Sequence, residues 1–360
     1  MIVVGPGREP VFDDDLSFDS LESAIAHSLK YLKRLPSERT FRYGKRSVTT
    51  LQRIESLNTF SALCKQVRSA SELDRLIRKN FNIYKAAGKN GSGEMLVTGY
   101  FEPILKGSLT REPPYIHPLY RLPPDLITLP GGGDLNGVRA GRMQNGRMVP
   151  YWTRAEIEKD RPLAGLELLF LSDPIENFFV HIQGSGQVRL RDESIQRVHF
   201  AGSNGRPYKS IGRLLVKQGK MKLADVDLPA IRGYLVEHPL ERESIFHYNE
   251  RFIFFDMEEI EGDKGPAGSL GEPLTAGRSV ALDRNCFPPA VLCFLKSWKP
   301  VVDCVGNVTG WEPMSRFVLN QDSGSAIKGP GRIDLFCGSG RYARTAAGLM
   351  RHPGVLYLLL

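Results

Sequence analysis

From residue 94 onward, the chain is a succession of short β-prone runs separated by glycine and proline turns. The runs include "MLVTGYFEPIL", "LELLFL", "FFVHIQGSGQVRL", "RSVAL" and "VLYLLL". Many short strands with turns between them are typical of β-barrels and β-sandwiches. Residues 1–90 instead carry apolar side chains at helical spacing, as in "DSLESAIAHSLKYLKRL", where Asp19 and Glu22 predict a capping box. We therefore predict a mainly β protein with N-terminal helices.

The chain is long enough for two domains, with 360 residues, and it carries a net charge of +8. A net positive charge favours binding to a polyanionic partner. The lysines and arginines are dispersed, however, and no zinc-finger, RNA-binding or helix-turn-helix signature is present, so we do not expect a nucleic-acid partner. A mildly basic surface also suits an anionic carbohydrate or a cell wall.

No motif indicates a metal or an organic cofactor. The five cysteines form no CxxC pair and have no histidine at metal-ligand spacing. Neither a Rossmann fingerprint nor a P-loop is present. "SAIK", from Ser325 to Lys328, matches the S-x-x-K pattern of serine acylases, but the "GPG" that follows would end the helix that this motif needs.

The first residues, "MIVVGPGREPVFDDDLSF", do not resemble a signal peptide and include no lipid-acceptor cysteine. The longest apolar runs have the length of strands and not of membrane spans. We expect that the protein stays inside the cell, or that a leader has been removed or lies upstream.

Three aspartates stand at predicted junctions between strands and turns. Asp283 ends "RSVALD", Asp322 follows "RFVLNQ", and Asp334 follows the glycine-rich turn of "QDSGSAIKGPGRIDLFCGSG". Most aspartates form turns or surface charges. Strand ends on a barrel nevertheless hold a functional side chain rigidly, so these three are candidate catalytic residues.

A second set of polar and aromatic side chains has the composition of a sugar-binding cleft. The alternative, that the glycines mark hairpins and the polar groups cap turns, stays open. The candidate substrate-binding residues are Tyr100, Glu102, Gln183, Ser185, Arg189, Asn204, Tyr208 and Lys209.

These segments together resemble the membrane-bound lytic murein transglycosylase A family. The likeness covers residues 95–360 and follows the family's order through "TGYFEPILKGS", "GRMVPYWTRAEI", "FFVHIQGSGQVRL", "GSNGRPYKSIGRLL", "NERFIFFD", "GPAGSLGEPLTAGRSVALD" and "QDSGSAIKGPGRIDLFCGSG". The last two segments resemble the family's three-aspartate "3D" module, with Asp283, Asp322 and Asp334 on its three positions.

The resemblance implies a double-psi β-barrel domain with a smaller β-domain inserted into it, and a glycan-binding groove between the two. The barrel would comprise residues 1–112 and 261–360, and the insert residues 113–260. Peptidoglycan glycan strands would be the substrate, in the periplasm or at the periplasmic face of the outer membrane. No cofactor is implied. Association with other cell-wall enzymes is possible in such a family, and the oligomeric state is left open.

The chain also departs from the family pattern. After "ALD" the family usually has a "P-L-G" turn, whereas this chain has Pro288 and Pro289 without the glycine. Cys337 replaces the aromatic residue that often follows the catalytic aspartate by three positions. The family also usually has a leader with a lipid-acceptor cysteine, which the start of this sequence does not show. These departures bear on localisation and on substrate contacts more than on the three aspartates.

The chemistry of this family implies that one aspartate can be enough. The C6 hydroxyl of N-acetylmuramic acid attacks C1 of its own ring, so no positioned water is needed. Asp334 would donate a proton to the glycosidic oxygen and then accept the hydroxyl proton. It must therefore have a raised pKa, which Leu335 and Phe336 would promote by excluding water and Asp322 by charge repulsion.

Two alternatives remain. An inverting β-glycan hydrolase would use Asp322 or Asp283 as the base, at about 6.5–9.5 Å from the acid. A non-catalytic barrel that binds the cell wall would keep the basic surface but would not depend on Asp334.

Overall fold

The computed structural model shows two compact units. The first unit comprises Met1–Phe101 and Lys264–Leu360, and the second is the continuous stretch Glu102–Asp263. The structure describes residues 1–5, 7–67, 69–129, 135, 137–260, 265–324 and 326–360. Ser325 of the discounted S-x-x-K pattern and residues 261–264, beside the second predicted junction, lie outside the described residues.

The N-terminal part of the chain is helical with short strands between the helices. Its elements are β1 (Ile2–Val3), α1 (Leu21–Lys33), β2 (Thr40–Tyr43), β3 (Arg46–Thr49), α2 (Thr50–Gln66), α3 (Ala70–Asn80), β4 (Ile83–Lys85) and β5 (Met95–Glu102). The capping box predicted for α1 is wrong. Ser20 is the N-cap and has a left-handed backbone, so Glu22 stands one position too early to reach back to the cap.

The middle of the chain mixes strands and short helices. Its elements are β6 (Ile104–Ser108), β7 (His117–Tyr120), β8 (Ile127–Thr128), β9 (Ala140–Gln144), β10 (Arg147–Pro150), α4 (Arg154–Asp160), β11 (Glu167–Leu171), α5 (Pro174–Gln183), β12 (Ser185–Arg189), β13 (Ile195–Ser203), α6 (Ile211–Lys217), α7 (Leu228–Glu237), α8 (Arg242–Tyr248) and β14 (Ile253–Glu259). Within this part, β14, β13, β12, β6, β11 and β7 form one sheet in that order.

The run "FFVHIQGSGQVRL" is not one strand, as the sequence predicts, but the end of α5 followed by β12. Asp173 caps the start of α5, with its Oδ1 accepting from the Ile175 N–H at 2.8 Å, and Pro174 occupies the first turn. Gly184 ends the helix with a φ of 88°. These start and stop signals outweigh the β propensity of the phenylalanines and the valine.

The C-terminal part returns to the first unit. Its elements are β15 (Ser279–Ala281), β16 (Leu292–Val302), β17 (Val308–Asp322), β18 (Arg332–Ser339), α9 (Gly340–Leu349) and β19 (Arg351–Leu359). Among the described residues, no helix has the length and apolar character needed to cross a bilayer.

Six strands of the first unit close into a barrel. The strands β19, β16, β17, β15, β18 and β5 are hydrogen-bonded in this order, and β5 pairs again with β19. The β15–β17 pair is parallel, whereas β16–β17 and β15–β18 are antiparallel. This barrel confirms the mainly β fold class that the sequence and the resemblance predict.

Strands β16 and β17 of the barrel are largely apolar on both faces. Cys293 and Leu295 of β16 lie in the inner core with Val280 and Leu335. The alternate residues of β16 and β17, which include Phe294 and Phe317, pack under the N-terminal helices in a second core. Because both faces of these strands are covered, the strands provide rigid positions for side chains at their ends.

Candidate active site

Asp322 and Asp334 lie on either side of a single residue, Ala281. In the parallel pair Ala281 is opposite Asp322, and in the antiparallel pair it is opposite Asp334. Since neighbouring strands lie about 4.8 Å apart, the two aspartate backbones are about 10 Å apart. The register of the parallel pair shifts between Val280 and Ala281, and this shift sets Asp322 opposite Ala281.

Alternation along β18 directs Asp334 away from the barrel core. Ile333 and Leu335 are buried in the inner core, so Asp334 and Phe336 belong to the opposite face. The aromatic ring of Phe336 packs against Tyr100, with 5.3 Å between the ring centroids. Phe336 thus covers the face that carries Asp334, as predicted, whereas Leu335 packs in the barrel core instead.

The carboxyl group of Asp334 is half-buried and accepts a hydrogen bond from Thr98. The distance from Thr98 Oγ1 to Asp334 Oδ1 is 2.7 Å. Burial raises the pKa of Asp334 to about 6; Thr98 and Arg332 oppose this rise, and the charge of Asp322 adds to it. This raised pKa has the direction that the sequence reasoning requires, and burial is its largest cause.

Asp322 is held by three hydrogen-bond donors. The hydroxyl group of Tyr100 donates to Asp322 Oδ2 at 2.8 Å. The backbone N–H groups of Ser269 and Ser323 donate to Oδ1 at 2.9 and 2.8 Å. Burial, followed by the charge of Asp322, raises the pKa of Tyr100 well above its usual value, so Tyr100 stays a protonated donor.

Asp283 follows β15 by two residues and joins two turns. Its Oδ1 accepts from the Asn285 N–H at 2.9 Å, and its Oδ2 accepts from the Gly329 N–H at 2.7 Å. These backbone donors, with Gly329 first, lower the pKa of Asp283. Its carboxylate therefore anchors the glycine-rich segment that leads from Asp322 to Asp334.

The predicted substrate contact Glu102 is a buried carboxylate with two partners. Its Oε1 accepts from Arg197 Nε at 2.7 Å and its Oε2 from Gln187 Nε2 at 2.9 Å. Glu102 and both of its partners belong to the second unit, so the ion pair is a contact within the core of that unit.

Asn204, Tyr208 and Lys209 follow β13 in the second unit. Asn204 is fully buried, and its Nδ2 donates to the backbone carbonyls of Trp152 and Glu250 at 2.9 and 2.8 Å. The Lys209 ammonium group pairs with the Glu250 carboxylate. Tyr208 is exposed.

Gln183, Ser185 and Arg189 lie at the ends of two elements. Gln183 is the last residue of α5, and Ser185 and Arg189 are the first and last residues of β12. Arg189 is exposed and lies 3.7 Å from the Glu193 carboxylate. The sugar-binding roles of these three side chains stay predictions.

Sequence reasoning missed Thr98 and Arg332, which lie beside Asp334. Arg332 Nη2 donates to Thr98 Oγ1 at 3.3 Å. The period of two along a strand could have found both residues, because Thr98 precedes Tyr100 by two positions and Arg332 precedes Asp334 by two.

A cavity of about 210 Å³ lies in the second unit and includes none of the predicted site residues. Its lining includes His117, Asn177 and Phe178. Among the described residues, no group of three or more histidine, cysteine, aspartate or glutamate side chains is placed to hold a metal ion.

Two family models match the chain. The MltA specific insert domain matches residues 96–256, and the 3D domain matches residues 278–360. The 3D match includes all three candidate aspartates, and the insert match includes the eight candidate substrate-binding residues.

Solved structures of similar proteins cover nearly all of the chain. A membrane-bound lytic murein transglycosylase from Agrobacterium tumefaciens is 28% identical, with 96% of this chain and 93% of that chain covered and a TM-score of 0.77. Escherichia coli MltA with bound chitohexaose is 25% identical, with coverages of 100% and 93% and a TM-score of 0.75.

A third structure is that of LtgG, a lytic transglycosylase of Burkholderia pseudomallei. It is 30% identical, covers 100% of this chain and 94% of its own, and has a TM-score of 0.60. Its sequence identity, together with the two family models matched in order along the chain, shows that the chain belongs to the membrane-bound lytic murein transglycosylase A family.

Proposed function

We propose that this protein is a lytic transglycosylase that cleaves the β-1,4 bond between N-acetylmuramic acid and N-acetylglucosamine in peptidoglycan and leaves 1,6-anhydro ends. Membership of the family supports the enzyme class. The hexasaccharide bound to the Escherichia coli relative supports a glycan ligand. The observation that carries the mechanism is the half-buried Asp334 with its raised pKa.

In the first step Asp334 acts as the general acid. Because its pKa is about 6, Asp334 is protonated in mildly acidic solution, where an ordinary aspartate is ionised. It donates this proton to the glycosidic oxygen as the bond from that oxygen to C1 of N-acetylmuramic acid breaks. The leaving sugar departs as an alcohol, and Asp334 becomes a carboxylate.

In the second step the same carboxylate acts as the base. The C6 hydroxyl of the N-acetylmuramic acid attacks C1 of its own ring, and its proton returns to Asp334. The new C6–O–C1 bond closes the anhydro ring, and the acid is regenerated without the use of water. An intramolecular nucleophile needs no second carboxylate to orient it.

The surroundings of the other two aspartates support a mechanism with one acid/base residue. Asp322 already accepts hydrogen bonds from Tyr100 and two backbone N–H groups. Asp283 accepts from two backbone N–H groups. We propose that Asp322 helps to keep Asp334 protonated and that Asp283 holds the glycine-rich segment in place. An inverting hydrolase would instead require one of them to activate water.

The site of action follows from the substrate. Relatives that are named membrane-bound murein transglycosylases support a place at the periplasmic face of a membrane. The exposed side chains of Arg189 and Tyr208 are the proposed glycan contacts of the second unit, since Glu102 and Asn204 are occupied in its core.

Mass spectrometry of digested peptidoglycan tests the proposal. Purified sacculi are incubated with the wild-type protein and with Asp334→Asn, which keeps the shape of the side chain but cannot transfer a proton. We expect anhydro-muropeptides, one water lighter than hydrolysed ends, from the wild-type protein alone. Hydrated reducing ends would establish a hydrolase instead. Binding to sacculi by both proteins without any soluble product would establish a binding module.

A further inference from the structure

The two oxygens of the Asp334 carboxyl group are not equivalent. Oδ1 accepts from the hydroxyl group of Thr98, and that hydroxyl oxygen accepts in turn from Arg332 Nη2. A guanidinium group has N–H donors and no acceptor, so the direction of the Arg332–Thr98 hydrogen bond is fixed. The single hydrogen of the Thr98 hydroxyl is then left for an acceptor.

That hydrogen has two acceptors within reach, and they differ in distance. Asp334 Oδ1 lies 2.7 Å from Thr98 Oγ1, whereas the backbone carbonyl of Ile333 lies at 3.5 Å. A proton on Oδ1 would reverse the short hydrogen bond and leave the Thr98 hydrogen with the distant carbonyl. The positive charge of Arg332 beside Thr98 opposes that reversal, because it draws electron density away from the oxygen that would have to accept a second donor.

We infer that Thr98 and Arg332 are positioning residues that keep the transferable proton of Asp334 on Oδ2. This inference rests on the proposed function, since it assigns the acid of that reaction to one atom. When Oδ2 gives its proton to the glycosidic oxygen, the negative charge that forms is shared with Oδ1, where the Thr98 hydroxyl stabilises it. When the C6 hydroxyl is deprotonated, its proton returns to Oδ2.

The same contacts act on the ionisation of Asp334. The charged and titratable groups that influence or neighbour its carboxyl group are Asp322 on β17, Arg332 and Cys337 on β18, and Tyr100 on β5. Thr98 and Arg332 lower the pKa of Asp334, against the effects of burial and of Asp322. Thr98 and Arg332 therefore make Asp334 a stronger acid and its carboxylate a weaker base. This balance lets the same carboxyl group act as the acid in the first step and as the base in the second.

A titration that needs no turnover tests the inference. The pKa of Asp334 is measured from its ¹³C carboxyl shift in protein labelled at aspartate, with Asp334→Asn used to assign the signal. Thr98→Val keeps the shape of Thr98 but removes its donor, and should raise that pKa by about one unit. Thr98→Ser keeps the hydroxyl group and should restore the wild-type value. Arg332→Gln, which removes the charge, should also raise the pKa.

The rate of anhydro-muropeptide formation is then measured across pH for the wild-type protein, Thr98→Val, Thr98→Ser and Arg332→Gln. The limb on which the rate falls as the pH rises should move upward in Thr98→Val together with the titration. An unmoved pKa in both Thr98→Val and Arg332→Gln would overturn the inference, even if their activity were lost. If the wild-type protein formed no anhydro product but the pKa moved as expected, the proposed function would fail and the positioning of the proton would stand.

Discussion

The negative charge of Asp322 contributes to the raised pKa of Asp334 and can be removed by substitution. Asp322 raises the pKa of Asp334 across one intervening strand. We expect Asp322→Asn to lower that pKa, so the fall in rate that the wild-type protein shows as the pH rises through about 6 should begin at a lower pH. The measurement is the pH dependence of anhydro-muropeptide formation. Asp13→Asn, which removes the charge of an exposed aspartate, is the control.

In Asp322→Asn, the rate could instead fall at every pH while the pH at which the rate declines stays unchanged. This result would assign Asp322 a purely structural role through its hydrogen bond with Tyr100. Movement of the limb in the Asp13 variant as well would indicate a general effect of net charge.

The raised pKa also predicts how stability changes with pH. The pKa of Asp334 is raised from 3.8 to about 6 in the folded protein, so the folded state holds this proton more tightly than the unfolded state. The stabilisation is complete below pH 3.8 and is lost as the pH rises through 6. Asp334→Asn removes the cost of burying the ionised carboxylate and should be more stable than the wild-type protein at pH 8, by about 1–3 kcal/mol.

Urea unfolding of both proteins at pH 4, 6 and 8 measures this difference. We expect the advantage of the variant to increase from pH 4 to pH 8. An equal difference at all three pH values would mean that Asp334 has an ordinary pKa in the folded protein.

Strand β5 lies so close to helix α9 at Gly99 that a side chain there would displace its neighbours. A Cβ atom there would lie 2.9 Å from Cys337 Sγ and 3.0 Å from the Cα atom of Ala347. The Ala347 atom belongs to the backbone, so Gly99→Ala must displace β5 or α9. Since Gly99 lies between Thr98 and Tyr100, we expect a loss of about 1–3 kcal/mol in stability and a lower rate.

Gly310→Ala is the matched control, because Gly310 lies in β17 of the same unit and a Cβ atom there would meet no heavy atom within 4 Å. Thermal unfolding and the rate of product formation are measured for both variants. Equal effects of the two substitutions would show that the close packing at Gly99 does not matter.

The strands themselves could be predicted from the sequence, but their neighbours could not. "RSVALD" and "RFVLNQD" have the composition of strands and end in aspartate, and both become strands of the barrel. Nothing local in these segments indicates that β15 pairs in parallel with β17, because a parallel pair joins segments that are distant along the chain. The position of Ala281 between Asp322 and Asp334 depends on that pairing.

For the candidate site residues too, part of the arrangement could be predicted from the sequence and part could not. Asp334 and Tyr100 were found from their motifs, and the structure brings them together with Asp322. Glu102 and Asn204 share the residue types of a sugar site, yet both are buried among partners in the second unit, and burial cannot be deduced from residue type. Thr98 was missed because a single threonine is not a motif, and only its position two residues before Tyr100 in the same strand could have indicated it.

The two compact units have separate cores, and this predicts more than one unfolding transition. Leu356 is fully buried in the barrel core, and Leu169 is fully buried in the core of the second unit. Truncation of a buried leucine to alanine costs about 2–5 kcal/mol. We expect Leu356→Ala and Leu169→Ala to destabilise different parts of the calorimetric profile, since proteins with several domains often depart from two-state unfolding.

The comparison is made by scanning calorimetry of the wild-type protein and the two variants at one pH. A single transition that both substitutions lower by the same amount would show that the units unfold as one cooperative body.

Because Ala281 alone separates Asp322 from Asp334, the gap between the two acids is a property of main-chain geometry. The hydrogen bonds between neighbouring strands join backbone N–H and C=O groups, so most side chains do not alter them. Side-chain substitutions that leave this strand pairing intact should therefore leave the separation of Asp322 and Asp334 unaltered.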